Sequence, residues 1–224
     1  MNAVPGEARG AGRAGVHGVI LAAGLSRRFG ADKLLHRLSG KPVFSWALEA
    51  ACASFLDGIV LVCRKELTPH LPSNPRVRTI VNPSPEIGQS SSIRLGLSAL
   101  PDQATHALIL LADQPLVTPA LIDDYVDLAN HGSSLACSGG NDYLGPPALF
   151  GREWFDSLKG LQGDTGARKI LSKERNALQI VKPRFQGQGM DIDIKENLQA
   201  VEQLMQNHRD HIFPRKSVDR ILRY

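Results

Sequence analysis

The residues in this chain best suited to chemistry fall in a few short segments whose types and spacing point to phosphate and metal handling. In LAAGLSRRFGADKLL, residues 21–35, Ala22, Ala23 and Gly24 leave backbone N–H groups open to a phosphate or a base edge, and Arg27, Arg28 and Lys33 follow with positive charge. The segment matches neither GxxxxGK[ST] nor GxGxxG. Its plainer alternative is a tight strand-to-helix turn followed by solvated basic residues. ALILLADQPLV places Asp113 just past an apolar run, where a strand-end carboxylate could hold Mg²⁺, the alternative being a turn cap before Pro115. In DIDI, Asp191 and Asp193 are two residues apart and point to one side of an extended backbone, so with Asp113 they could complete an oxygen shell. Asp193 could equally cap the helix expected from Lys195. GQSSSIRLGL offers hydroxyls and free N–H groups at a helix start, suited to a phosphate, ribose or pyrimidine edge, or else an ordinary serine cap. GDTGAR, residues 163–168, sets a guanidinium beside a glycine-flexible loop, as an anion-binding loop would.

Such groups work only if the elements around them bring them to one edge. The β-branched apolar run at 16–21 predicts a buried strand. A helix is predicted over 42–55, with Phe44, Leu48, Ala51 and Phe55 on its apolar face, then strands at 58–63 and 77–81. A helix at 90–100, a central strand at 107–111 and a helix at 118–129 continue the alternation. Further on come strands at 135–138 and within 141–150, a short helix at 166–171, a last strand at 178–181 and a helix at 195–207. This is the pattern of an α/β fold with a mostly parallel sheet covered on both faces, and ligands in such folds sit outside the carboxyl ends of the strands. No internal repeat or low-complexity linker interrupts it. The organisation expected is a flexible tail over 1–15, one domain over 16–208 and a basic tail over 209–224.

With 224 residues the chain can bury a core without metal or disulfide support. Its 42% hydrophobic and 21% charged residues exclude wholesale disorder, collagen and coiled coil. The net charge of +4 favours acidic partners. Cys52, Cys63 and Cys137 form no CxxC or His-flanked spacing, which argues against a disulfide framework or zinc site and for a reducing cytoplasm. No apolar stretch reaches the roughly 20 residues that span a bilayer, and the arginine-bearing N-terminus lacks an apolar h-region.

The ordered run LAAGLSRRFGADK, GQSSSIRLGL, LADQPLV, GPPALF, GDTGAR and DIDIKENL resembles the molybdenum cofactor nucleotidyltransferases, and within them the cytidylyltransferase branch. The resemblance implies a three-layer α/β/α, Rossmann-like nucleotide-binding domain that uses Mg²⁺. It implies transfer of CMP from CTP to the terminal phosphate of molybdopterin or its metal-loaded form, with release of pyrophosphate, and a molybdenum hydroxylase as recipient of the product. Neither nucleic acid nor membrane is implied as a partner. By match, Leu21, Ala22, Ala23, Gly24 and Ser26 would meet the nucleotide, Arg28 and Lys33 its triphosphate, and Ser91 and Ser92 its base or sugar. Asp113, Asp191 and Asp193 would hold the metal, and Gly163, Asp164, Gly166 and Arg168 would face the pterin. Arg28, Lys33 and Asp113 carry the catalysis in this reading. Guanylyl-transferring relatives carry LAGG where this chain has LAAG, so the Ala23 methyl is expected to disfavour a purine. Phe29 and Gln89 stand where Met is common, and DIDI lacks the Thr-Pro that usually follows its second Asp. The rival readings are a GTP-using guanylyltransferase, a transferase acting on a sugar or alditol phosphate, and a non-catalytic nucleotide-binding maturation factor.

Overall fold

The computed structural model describes residues 14–139 and 143–212. In chain order the elements are β1 (Val16–Ala22), a small hairpin of β2 (Arg37–Leu38) and β3 (Lys41–Pro42), α1 (Val43–Ala53), β4 (Gly58–Cys63), β5 (Val77–Val81), α2 (Gln89–Ser98) and β6 (His106–Leu111). They continue with α3 (Pro119–Asn130), β7 (Leu135–Gly139), β8 (Leu144–Gly151), α4 (Phe155–Lys159), α5 (Arg168–Lys173), β9 (Gln179–Val181), α6 (Glu196–Asn207) and α7 (Arg209–Ile212).

β1 is apolar on both faces, and both faces are used. Val16, Ile20 and Ala22 enter one core with residues of α1, α3 and α6, while Val19 and Leu21 enter a second with α2, α4 and α5. β4 and β6 divide their side chains the same way, Ile59 and Leu108 to the first core, Val60 and Ile109 to the second. Each such aliphatic side chain, fully buried, stabilises the fold by roughly 1.5–3 kcal/mol, so the run can form only the middle layer of three. The resulting sheet has seven strands in the order β5-β4-β1-β6-β8-β7-β9. β5, β4, β1 and β6 are parallel, β8 runs antiparallel to both β6 and β7, and β9 returns parallel to β7. This is the expected three-layer α/β/α, Rossmann-like arrangement.

Two local features govern the site. Gly96 lets α2 lie directly on the sheet: a Cβ there would fall 2.3 Å from Val19 Cγ1 and 3.3 Å from Val62 Cγ2. Gly88, at φ +104°, opens α2, and a Cβ on it would meet the backbone of Gly163 and Asp164 at 2.6 Å. The start of α2 and the GDTGAR loop are therefore in direct contact.

The structure departs from expectation at two ends. α1 stops at Ala53, where Ser54 turns extended with its Oγ donating to the Ala51 carbonyl, the Phe55 N–H donates to Asp123, and the Arg76 guanidinium, arriving just before β5, donates to the carbonyls of Cys52, Ser54 and Leu56. Phe55, expected on the buried face, is consequently 48% exposed. Arg209–Ile212, read as the beginning of a basic tail, form α7, where His211 clusters with the Phe185 ring and with His208, which stacks on that ring at 4.4 Å. The rest of that tail, 213–224, and the N-terminal segment to residue 13 lie outside the described residues. Among the described residues no helix is long and apolar enough to cross a membrane.

Candidate active site

The carboxyl ends of β1 and β6 lie side by side, and the chain leaves β1 toward one face of the sheet while α2 covers the other. A cleft of about 680 Å³ opens there, lined by the loop after β1, the start of α2, Asp113 and Asp193. Leu21, Ala23, Gly24, Ser26, Arg27, Arg28 and Lys33 all reach it. Ala22 does not; it is 1% exposed and belongs to the core. Phe29 is also buried, edge-on to His36, so it anchors the loop from beneath.

The loop is tied so that Lys33 faces inward. Ser26 sits at φ +51°, an uncommon conformation for a non-glycine residue, and its Oγ accepts the backbone N–H of Lys33 at 3.3 Å. Asp32 accepts from the Leu34 N–H and pairs with Arg64 at 2.6 Å, joining the loop to the end of β4. Lys33 Nζ then lies 2.6 Å from Asp113 Oδ2 and 2.9 Å from Asp193 Oδ1, with only 11% of its side chain exposed. Burial alone would lower its pKa, but the Asp113 and Asp193 carboxylates outweigh that and hold it above the ordinary lysine value. Arg28 is 80% exposed and 3.5 Å from Asp193 Oδ2, a loose contact that an incoming anion could replace.

DIDI is fixed to this edge by its backbone, the Ile192 N–H donating to the Asp113 carbonyl at 3.0 Å. The two acids nevertheless diverge in environment. Asp193 faces the cleft and the cations, whereas the Asp191 Oδ1 is buried and has no hydrogen-bond partner. Burial, then the Asp113 charge, pushes the Asp191 acid up to about 6. Of the three aspartates expected in one oxygen shell, Asp113 and Asp193 both pair with Lys33, Asp193 also with Arg28, and Asp191 has the buried oxygen without a partner. Among the described residues no three His, Cys, Asp or Glu side chains converge as a ready cation cage. Two carboxylates completed by substrate phosphates are the usual way an enzyme holds Mg²⁺, and Asp113 with Asp191 fit that donor set.

Serines 91 and 92, expected to meet a base or sugar, are buried at 6% and 5% exposure. Asn82 Nδ2 donates to both hydroxyls at 2.9 and 3.0 Å, and Ser91 Oγ donates to the Gly88 carbonyl at 2.8 Å. Ser92 still lines the cleft; Ser91 serves the turn. Of the GDTGAR loop, Asp164 lines the cleft and its Oδ1 accepts from the first N–H of α2 at 3.4 Å, while the Gly163 carbonyl accepts from Ser90 N–H at 3.2 Å. Gly166 packs on Gln89, and the Arg168 guanidinium sits 5.6 Å from the Tyr143 ring centre. Sequence reasoning did not single out Asn82, which pins the serines, or Gln114. The latter is fully buried, its amide donating to the carbonyls of Pro146 and Gly189. The VNPSP turn and the LADQP motif were the available signals for them.

A basic loop and a strand-end aspartate meeting at the switch point of a Rossmann-like sheet define a nucleotide-handling α/β enzyme. Residues 18–178 match the MobA-like NTP transferase domain, and the chain belongs to that family of nucleotidyltransferases. It is 34% identical over 199 residues to the purine catabolism protein PucB of Bacillus subtilis, covering 84% of this chain and 96% of that one. It is 37% identical over 132 residues to a protein of Thermococcus kodakarensis named as a molybdenum cofactor guanylyltransferase, covering 58% of this chain and 62% of that one. Among solved structures, Rv0371c of Mycobacterium tuberculosis in complex with manganese shares the fold, with a TM-score of 0.68 and 22% identity over 85% of this chain and 98% of that one.

Proposed function

We propose that the chain transfers CMP from CTP to the terminal phosphate of molybdopterin or its metal-loaded form, releasing pyrophosphate. The observation that carries this reading is the nearly buried Lys33 ammonium seated on Asp113 beneath a loop whose Arg27 and Arg28 face the same cleft. A terminal phosphate oxygen of the acceptor attacks the α-phosphorus of the nucleotide. The bond from that phosphorus to the bridging oxygen breaks, and pyrophosphate departs with the electron pair. No proton needs to move, so the protein's task is to place the two substrates and offset charge. Lys33, Arg27 and Arg28 hold the triphosphate and meet the charge that builds on it in the transition state. Asp113 and Asp191 would hold the divalent cation, Mg²⁺ in this reading, with the unpartnered Asp191 Oδ1 as one of its oxygens. When bound, that cation neutralises and polarises phosphoryl oxygens. That a structural neighbour, Rv0371c, was solved in complex with manganese favours a divalent ion.

The base preference rests on Ala23, which lines the cleft just past β1 at 3% exposure and stands where the family resemblance implies Gly in guanylyl-transferring members. Its methyl restricts close approach of a purine. We take residues 16–208 as the catalytic unit, in the cytoplasm, with a molybdenum hydroxylase receiving the product; its three free thiols suit that compartment. The second reading, transfer from GTP, is favoured by the relative named as a guanylyltransferase. Pyrophosphate release with purified molybdopterin, run in parallel with CTP, GTP and ATP, separates them. CTP is expected to lead GTP by roughly 10–200-fold in kcat/KM. GTP used equally well or better makes the protein a guanylyltransferase.

A further inference from the structure

The cleft carries its own cation. Lys33 Nζ contacts Asp113 Oδ2 at 2.6 Å and Asp193 Oδ1 at 2.9 Å, distances of charge-assisted hydrogen bonds. Asp113 is one of the two carboxylates assigned above to the divalent cation, and an ammonium resting on it repels a second positive charge brought to the same group. The carboxylate left without such a partner, Asp191, is the buried one.

The geometry also lets the ammonium leave without disturbing its surroundings. The Lys33 backbone is pinned through its N–H to Ser26 Oγ, while the side chain is a flexible four-carbon stem. Asp193 keeps a cation if Lys33 departs, because Arg28 is already 3.5 Å from its other oxygen. Neither aspartate has to stand as an unpaired charge, the state that makes breaking a sheltered ion pair costly.

We propose that Lys33 is a stand-in counter-ion: without nucleotide it occupies Asp113 and keeps divalent metal weakly bound, and it yields that carboxylate only when triphosphate oxygens take up its ammonium. Metal and nucleotide then enter as a coupled pair, and metal alone does not fill the site. The inference rests on the nucleotidyl-transfer reading for the identity of the anion, whereas the competition between lysine and metal is testable without any nucleotide.

The test is Mn²⁺ titration followed by electron paramagnetic resonance of the free ion, with no nucleotide present. The proteins compared are wild type, Lys33→Met, Lys33→Arg and the double variant Lys33→Met/Asp113→Asn, each checked for folding by circular dichroism. Lys33→Met is expected to bind Mn²⁺ at least about tenfold more tightly than wild type, since a like charge has been removed from a partly sheltered site. Lys33→Arg should stay near wild type, and Asp113→Asn should cancel the gain. Equal affinity of Lys33→Met and wild type overturns the proposal, as does a gain that survives Asp113→Asn. If Lys33→Met fails to fold, wild type labelled with ¹⁵N-lysine decides. Its Lys33 Nζ resonance should be unmoved by Mg²⁺ alone and should shift when α,β-methylene-CTP is added with it; a shift with Mg²⁺ alone overturns the proposal. Failure of the transfer reading is seen separately, as absent pyrophosphate release from every nucleotide while the Mn²⁺ result stands.

Discussion

Replacing Gly96 by Ala tests how α2 is seated and what that seating does for the cleft. The added Cβ would lie 2.3 Å from Val19 Cγ1 and 3.3 Å from Val62 Cγ2, against an ordinary carbon–carbon contact of roughly 3.5–4.0 Å. Both valines are 0% exposed, and their branched side chains are stiff, so the helix must rise by about an ångström. Overpacking of this kind costs about 1–3 kcal/mol, while Ala over Gly within a helix returns up to about 1 kcal/mol. The expected net loss is about 1–2 kcal/mol, or roughly 2–8 °C in Tm for a chain of this size. Urea unfolding measures the stability. Steady-state transfer kinetics measure the second consequence: α2 carries Gln89 and Ser92 to the cleft, so raising it should lower kcat/KM. Adding Val19→Ala should restore part of both, with a coupling of about 1 kcal/mol. A Gly96→Ala protein as stable as wild type would show that α2 is not held against β1 by this contact.

Three further outcomes are expected. Lys33→Ala should lower turnover by roughly 10²–10³-fold with the fold intact, the usual cost of one preorganised electrostatic donor; a loss under about threefold removes Lys33 from the transition state. Ala23→Gly should narrow the CTP-to-GTP ratio in a competition assay without reversing it, and an unchanged ratio would place base selection elsewhere. Asp191 holds its proton more tightly folded than unfolded, its acid lying near 6 against 3.8, so metal-free stability should fall as pH rises from about 3.8 to 6 and level off above. Thermal unfolding of Asp191→Asn should therefore show a gain over wild type at pH 7 and little at pH 4; equal Tm differences at the two values would mean that the Asp191 charge is not the cause.

What the amino-acid sequence discloses and what it hides follow a physical divide. β1, β4 and β6 are legible because a strand buried on both faces must be apolar throughout, and Gly58 or the Ala23-Gly24 pair mark where such a run starts or stops. Asp113 is legible because it follows β6 by two residues, so locating the strand locates the residue, whereas Lys33 is legible through the small-residue and basic run that leaves β1. The division of labour among the aspartates is not. The contact between Lys33 and Asp193 joins residues 160 apart in sequence, and whether an aspartate meets a metal or an ammonium depends on that closure. The surroundings of the serines are hidden for a related reason: a hydroxyl at a helix start gives no sign in sequence that Asn82, from the end of β5, donates to it, as it does to both Ser91 and Ser92. The exposed Phe55 belongs with these, since helical periodicity carries the apolar face onward while Arg76 and Asp123, both distant in sequence, take the backbone groups at the end of the helix.

The reversed direction of β8 has a consequence for how this architecture diversifies. Ile109 pairs with Ala148 and His106 with Gly151, so the beginning of β8, not its end, overhangs the carboxyl edge of β6, where Pro146 meets Gln114. The edge that carries Asp113 thus has chain leaving parallel strands on one side and the first residues of an opposed strand on the other. Residues ahead of β8 can be lengthened, shortened or exchanged while β1 keeps its register against β4 and β6. The two sides of that edge can therefore change under separate constraints, one tied to the register of the parallel strands and the other to a strand that meets β6 through its own pairing.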